Sequence, residues 1–194
     1  MQAHREKVSS AKILEVASKL FVEKGYSNVS IRDVCRQVGT TAPMIYYYFG
    51  SKKGLFNAAV SRKISMKEFI GRLRERINVD SPRQGIINFI ETYLTSFPGS
   101  AFDPGLYMRD SAQLDRESAD RINRDMDEIQ RVATALVERG VKKGNFRTID
   151  ASKAADCLIG MLNHIVFQKI HFSRSWDQEV TRGFITDFFF KALK

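Results

Sequence analysis

Residues 30–56 read SIRDVCRQVGTTAPMIYYYFGSKKGLF, and this stretch decides how the rest of the chain is understood. Ser30 has the features of a helix N-cap, with Asp33 three residues on as a shortened capping box. Ile31, Val34, Cys35 and Val38 recur at helical spacing, and Gly39 ends the pattern. Thr40 and Thr41 follow, Thr41 being placed to cap a second short helix over about 42–48. Pro43 falls in its first turn, where a missing N–H costs little. Ser51 caps a third start, with Lys52 and Lys53 in its first turn. Cations there oppose the helix dipole, and a phosphate held at the same end would offset that cost. Two short helices around a glycine turn fit a helix-turn-helix, whose second helix enters the major groove. Thr40, Thr41, Tyr46, Tyr47, Tyr48, Ser51, Lys52 and Lys53 are residue types that bond phosphate oxygens.

Upstream, the pattern from Ser9 to Lys24 predicts a helix with a stripe of Ala11, Leu14, Ala17, Leu20 and Phe21, Ile13 beside it, and a stop at Gly25. His4, Arg5 and Lys7 form a short basic arm before it. Downstream, apolar periodicity carries the helix begun at Ser51 through Leu55, Phe56, Ala59, Val60 and Ile64 towards Leu73 and Ile77. Asp80-Ser81-Pro82 marks the next boundary, before an apolar helix from Ile86 to Phe97. Residues 98–105 are a loop with two Pro-containing turns, followed by the apolar Leu106-Tyr107-Met108 and a polar stretch over 109–118. A long amphipathic helix then reaches about Arg139, and two more run over about 151–172 and 177–194. Nothing alternates over a strand's length. The expected fold is all-α with about nine helices: a helix-turn-helix domain over 1–55 and a larger helical domain over 56–194, the third and fourth helices meeting near residue 50.

Charge is divided along the same line. Residues 1–76 hold 15 Lys/Arg against 6 Asp/Glu, whereas 77–194 hold 16 of each, so the whole net charge of +9 lies in the first two-fifths. A basic head on a neutral body suggests a polyanion partner for the head. With 43% hydrophobic residues and 14 Phe, the chain can build a core. The start, MQAHREKVSS, lacks the apolar run of a signal peptide and no stretch is long enough to span a membrane, so a cytoplasmic location is expected. Cys35 and Cys157 lie far apart in apolar patterns and read as reduced structural thiols, without metal-ligand spacing.

The segment TAPMIYYYFGSKKGLF over 41–56 closely resembles the recognition-helix signature of TetR-family regulators, and residues 9–60 as a whole match that family's first helices. By that resemblance Arg32, Ala42, Pro43 and Tyr47 would face bases, while Thr41, Tyr46, Tyr48 and Lys52 would grip phosphates and Ile45 and Phe49 would be core. Arg32 suits guanine, and Ala42 and Pro43 suit thymine methyls. Ala42 stands where the family often has a polar residue, which shifts weight towards readout of DNA shape. The resemblance further implies a ligand-responsive regulator, a repressor that binds a palindromic operator on double-stranded DNA as a homodimer and is released by a small effector. The alternative is a non-specific DNA-binding protein without ligand control.

The last two helices are the expected dimer interface, with Ala154, Ala155 and Gly160 permitting close packing against a symmetry mate. Candidate effector-binding residues are Phe97, Phe102, Tyr107, Met108, Met126, Ile129, Met161, His164 and Phe167, with Asn163–His164 as the polar pair on an otherwise apolar helix. No basic cluster in the second domain points to an anionic ligand, so an apolar or amphipathic effector is expected. Asp103, Asp110, Asp115 and Glu117 read as solvated residues and helix N-terminal charges. No nucleophile–base pair or phosphate-cradling loop is present. Neither catalysis nor a cofactor is expected.

Overall fold

The computed structural model describes residues 9–60, 64–96, 107, 109–172 and 177–194. Among these residues there are nine α-helices, one short 3-10 turn and no strand. They are α1 (Ser10–Lys24), α2 (Ile31–Val38), α3 (Ala42–Phe49), α4 (Lys52–Val60), α5 (Ile64–Ile77), α6 (Pro82–Ser96), the 3-10 turn (Ser111–Gln113), α7 (Arg116–Lys142), α8 (Ala151–Phe172) and α9 (Gln178–Ala192). The basic arm His4, Arg5 and Lys7 lies outside the described residues.

The chain divides into two compact units. The first is Met1–Arg62 with Gly105–Ala119, and the second is Lys63–Pro104 with Asp120–Lys194. The expected divide at 55/56 falls inside α4, and the first unit keeps that helix whole because α4 packs on α1 and α3. In the first unit α1 also packs on α2, and α2 on α3. Ser9 caps α1 by accepting from the Lys12 amide at 3.3 Å. Its inward face is Ile13, Ala17, Leu20 and Phe21. This corrects the stripe drawn from the sequence: Ile13 is central, Leu14 is half-buried and Ala11 is exposed. Ala11 lies about 200° round the helix from Ile13, at 100° per residue. Val34, Ile45, Leu55 and Phe56 complete a core in which Phe21 meets Phe56 edge-on at 5.1 Å.

In the second unit α6 is the central helix, packed by α5, α8 and α9. Its Ile86, Phe89, Ile90 and Tyr93 are fully buried, and Phe69 meets Tyr93 edge-on at 5.4 Å. The Tyr93 hydroxyl donates to Asn163 Oδ1 at 2.6 Å, joining α6 to α8 through a polar bond inside an apolar core. Burial holds that hydroxyl above the ordinary tyrosine range. Ala154 and Ala155 are buried against their own chain, so they serve the core of one protomer and not a close approach between two. Gly160 is exposed, with open space around it.

Candidate nucleic-acid interface

The α2–turn–α3 stretch is built almost wholly by local signals. The Ser30 hydroxyl accepts from the Asp33 amide at 3.2 Å, and the Asp33 carboxylate accepts from the Ser30 amide at 2.9 Å, a reciprocal capping box. The hydrogen bonds from Ser30 hold the Asp33 carboxyl below its ordinary pKa. Gly39 takes φ 75° and ψ 37°, the left-handed conformation that glycine adopts without a Cβ clash. In that geometry the amides of Gly39 and Thr40 both reach the Cys35 carbonyl, and the chain turns out of α2.

Thr41 occupies the N-cap of α3, but its hydroxyl makes no capping bond, contrary to the sequence expectation. Pro43 offers no amide at the second position, and the third-position amide, that of Met44, donates to the Thr41 carbonyl at 3.1 Å. The Thr41 side chain is exposed. On α3, Ile45 is fully buried, while Tyr47 is 82% exposed and Tyr46 48%. Tyr48 is just exposed and its ring lies 5.3 Å from that of Tyr47. Phe49 is half-buried, less enclosed than a core position. Arg32, Thr41 and Pro43 are exposed, and Thr40 and Ala42 half-buried. Apart from the buried Ile45, the helix therefore turns a face of tyrosine rings and hydroxyls outward.

At the start of α4 the Ser51 hydroxyl accepts from the Gly54 amide at 2.9 Å. A Cβ on Gly54 would lie 2.0 Å from the Phe49 carbonyl oxygen, so the close approach of α3 to α4 requires glycine here. Lys52 is not merely a cation at the wrong end of a dipole. Its ammonium lies 4.3 Å above the Tyr26 ring and donates to the Ser27 carbonyl at 3.5 Å. Lys53 is exposed.

One part of this unit was missed in the sequence. Asp110, read as solvated, is 8% exposed and accepts from the Tyr26 amide at 3.1 Å and from Arg109 Nε at 3.0 Å. Arg109 in turn donates through Nη2 to the Phe21 carbonyl at 3.0 Å, over Gly25. Asp115 exchanges hydrogen bonds with Asn57 of α4 and accepts from the Ser118 amide at 2.7 Å. The segment 109–115 therefore fastens the end of α1 and the flank of α4. No local pattern could have shown this, since the Tyr26–Asp110 partners are 84 positions apart.

The expected effector residues are more scattered. Phe97, Phe102 and Met108 lie outside the described residues. Tyr107 belongs to the first compact unit, whereas Met126, Ile129, Met161, His164 and Phe167 belong to the second. Ile129 is core, and Met126, Met161 and Phe167 are half-buried. His164 is exposed, its Nε2 3.2 Å from the Gln168 amide nitrogen, so the inward polar group of the pair is Asn163. A helix places neighbouring side chains about 100° apart, and only one of the two faces Tyr93. Among the described residues no cluster could hold a metal, and no helix is long and apolar enough to cross a membrane.

Residues 13–59 match the family model of bacterial regulatory proteins of the tetR family, and residues 80–167 match that of a tetracyclin repressor-like C-terminal domain. The HTH-type transcriptional repressor NicS of Pseudomonas putida is 28% identical over 145 residues, which span 70% of this chain and 64% of NicS. Among solved structures, the TetR-family transcriptional regulator PfmR from Thermus thermophilus superposes with a TM-score of 0.77 at 24% identity, covering 94% of this chain and 98% of PfmR. The regulator FadR from Bacillus subtilis, solved in complex with stearoyl-CoA, gives 0.67 at 18%, covering 93% and 97%. At these identities the structural likeness establishes the fold. With the helix-turn-helix geometry and both family models in agreement, the chain belongs to the TetR family of DNA-binding transcriptional regulators.

Proposed function

We propose that the protein is a ligand-responsive repressor that binds a palindromic operator as a homodimer and releases it when a small apolar or amphipathic effector binds the second unit. The carrying observation is the outward face of α3: a buried Ile45 anchors a helix that exposes three tyrosines and Pro43, with Thr41 at its N-cap and Arg32 exposed on α2. In this reading Arg32, Ala42, Pro43 and Tyr47 face bases. Thr40, Thr41, Tyr46, Tyr48 and Lys52 position the head on phosphates. One eight-residue helix offers few base contacts. Two-fold pairing doubles them and makes the operator a palindrome.

The dimer is assigned to α8 and α9. Phe172, Val180, Phe184 and Phe188 are between 55% and 70% exposed, and Phe184 and Phe188 stack at 6.2 Å. Val180, Phe184 and Phe188 recur every four residues on one face of α9, and an exposed apolar stripe of this kind supports an interaction site. The stearoyl-CoA of FadR supports an amphipathic effector. An effector can release DNA only through different affinity for the bound and free conformations.

The test is competition between a palindrome from the promoter region next to the gene and random duplex at fixed salt. The proposed function requires a preference of roughly 10³-fold or more for the palindrome. Equal competition would refute it and leave the non-specific alternative, since phosphate contacts alone give both readings the same steep salt dependence.

A further inference from the structure

A groove of about 470 Å³ runs along the second unit between the end of α5 and the middle of α7. It contains none of the residues the sequence pattern marked for an effector. The lining side chains on α7 recur from Glu128 to Arg139 at three- and four-residue steps, a single stripe about 16 Å long at 1.5 Å per residue. Ile77, Val132 and Leu136 form its apolar floor, with Ala135 at the edge. Three arginines, Arg74, Arg131 and Arg139, stand against one carboxylate, Glu128. The sequence shows no basic cluster because Arg74 is brought to the other two from a different helix.

The charges are arranged rather than scattered. Arg74 donates to Glu128 Oε1 through Nε at 3.2 Å and Nη2 at 2.5 Å, while Arg131 donates to Oε2 through Nε at 3.2 Å and Nη2 at 2.7 Å. Glu128 thus holds two guanidiniums by one edge and sits below its ordinary pKa for that reason, Arg74 first. Each guanidinium has five N–H donors, and the outer edges of these two donate to nothing among the described residues. Further along, Arg139 donates through Nη2 to the Val79 carbonyl at 2.9 Å, and its buried Nε has no acceptor.

We propose that this groove binds an elongated anionic amphiphile, a long-chain carboxylate whose head is received by the paired outer edges of Arg74 and Arg131 and whose chain lies on Ile77, Val132 and Leu136. Three features point to this class together. The volume is within the range of small-molecule sites. The apolar floor rewards a hydrocarbon chain by area removed from water. The guanidinium edges that Glu128 does not occupy can pair with a second carboxylate through charged hydrogen bonds, which a neutral head cannot match. Because Arg74 and Arg131 are 63% and 69% exposed, the head is seated at the rim, where solvent screens its charge.

This deepens the effector part of the proposed function but is tested without DNA. Titration calorimetry with laurate below its micellar concentration, dodecanol and acetate as probes should show saturable binding of laurate, at least tenfold weaker binding of dodecanol, and none of acetate. The double variant Arg74→Gln/Arg131→Gln should lose laurate affinity at least tenfold and leave dodecanol unchanged. Ala135→Trp, which places an indole at the edge of the groove between Arg131 and Arg139, should weaken both. Circular dichroism melting shows that each variant is folded. Absence of saturable laurate binding, an unchanged laurate affinity in the double variant, or equal binding of dodecanol and laurate would each overturn the proposal. Failure of the palindrome competition would sink the regulator reading while leaving laurate binding intact.

Discussion

Replacing Asp110 with alanine tests whether the head is held together by a residue more than 80 positions from its first partner. The carboxylate is 8% exposed and accepts from the Tyr26 amide and from Arg109 Nε. Its loss strands a part-buried amide donor at about 1–3 kcal/mol. The Arg109–Asp110 pair adds little, because the arginine side chain is 43% exposed and screened by solvent. The expected total is about 2 kcal/mol, the hydrogen-bond loss dominating. Asp110→Asn keeps an oxygen for the Tyr26 amide and gives up only the charge, so its cost should stay below about 1 kcal/mol. Urea denaturation followed at the head, with hydrogen exchange at the Tyr26 amide as a local probe, reads both. For a unit of this size 2 kcal/mol corresponds to roughly 8–16 °C in Tm. Two results would refute the reasoning: Asp110→Ala within 0.5 kcal/mol of the parent (about the scatter of neutral surface changes), or Asp110→Asn as damaging as alanine.

Lys52→Ala should weaken binding to every duplex alike and lower the salt slope by about 1, whereas Arg32→Ala should relax preference at one base position by about 1–3 kcal/mol. Binding-site selection at two salt concentrations separates them, and a changed operator preference in Lys52→Ala would reverse the assigned roles. Tyr93→Phe removes the donor to Asn163 Oδ1 and should cost about 1–2 kcal/mol by thermal melting, even though it adds no cavity. Ser30→Ala should cost about 1 kcal/mol through the lost cap of α2. It should also remove part of the acid sensitivity. The Asp33 carboxyl is held below its ordinary 3.8 in the folded protein, so its stabilisation is present above that value and is lost as pH falls through the lower folded value. Melting curves of parent and Ser30→Ala between pH 6 and 2.5 should therefore draw closer at the acid end, the gap from the lost hydroxyl cap remaining.

What the sequence made legible was local. Ser30 with Asp33, Gly39, Pro43 and Ser51 each act within four residues, so the turn and both helices of the DNA-reading element could be placed from pattern alone. The same pattern cannot say which way a helix faces when several faces are apolar. Ile13 and Leu14 exchange roles in α1, and Ala154 and Ala155 turn inward. Contacts across long separations were invisible for a different reason. Asp110 looks like any surface aspartate until Tyr26 arrives beside it, and Arg74 looks like any helix cation until Glu128 does. His164 and Asn163 show the limit at single-residue scale, since their types are equally polar and only the angle about α8 decides which one meets Tyr93.

The return of residues 105–119 to the first unit has a consequence during synthesis. A ribosome that has finished Arg62 has made α1 to α4 of the DNA-reading head, yet the acceptor for the Tyr26 amide is still 48 codons away. At bacterial elongation rates of about 5–20 residues per second the nascent head waits roughly 2–10 s for its fastening. During that interval the end of α1 has an amide without its native acceptor and α4 lacks Asp115. A DNA-reading head made in this order is completed only after the first stretch of the second unit, Lys63–Pro104, has been translated. Premature termination before Asp110 would release heads that carry the whole reading surface and lack the bonds that hold it firm.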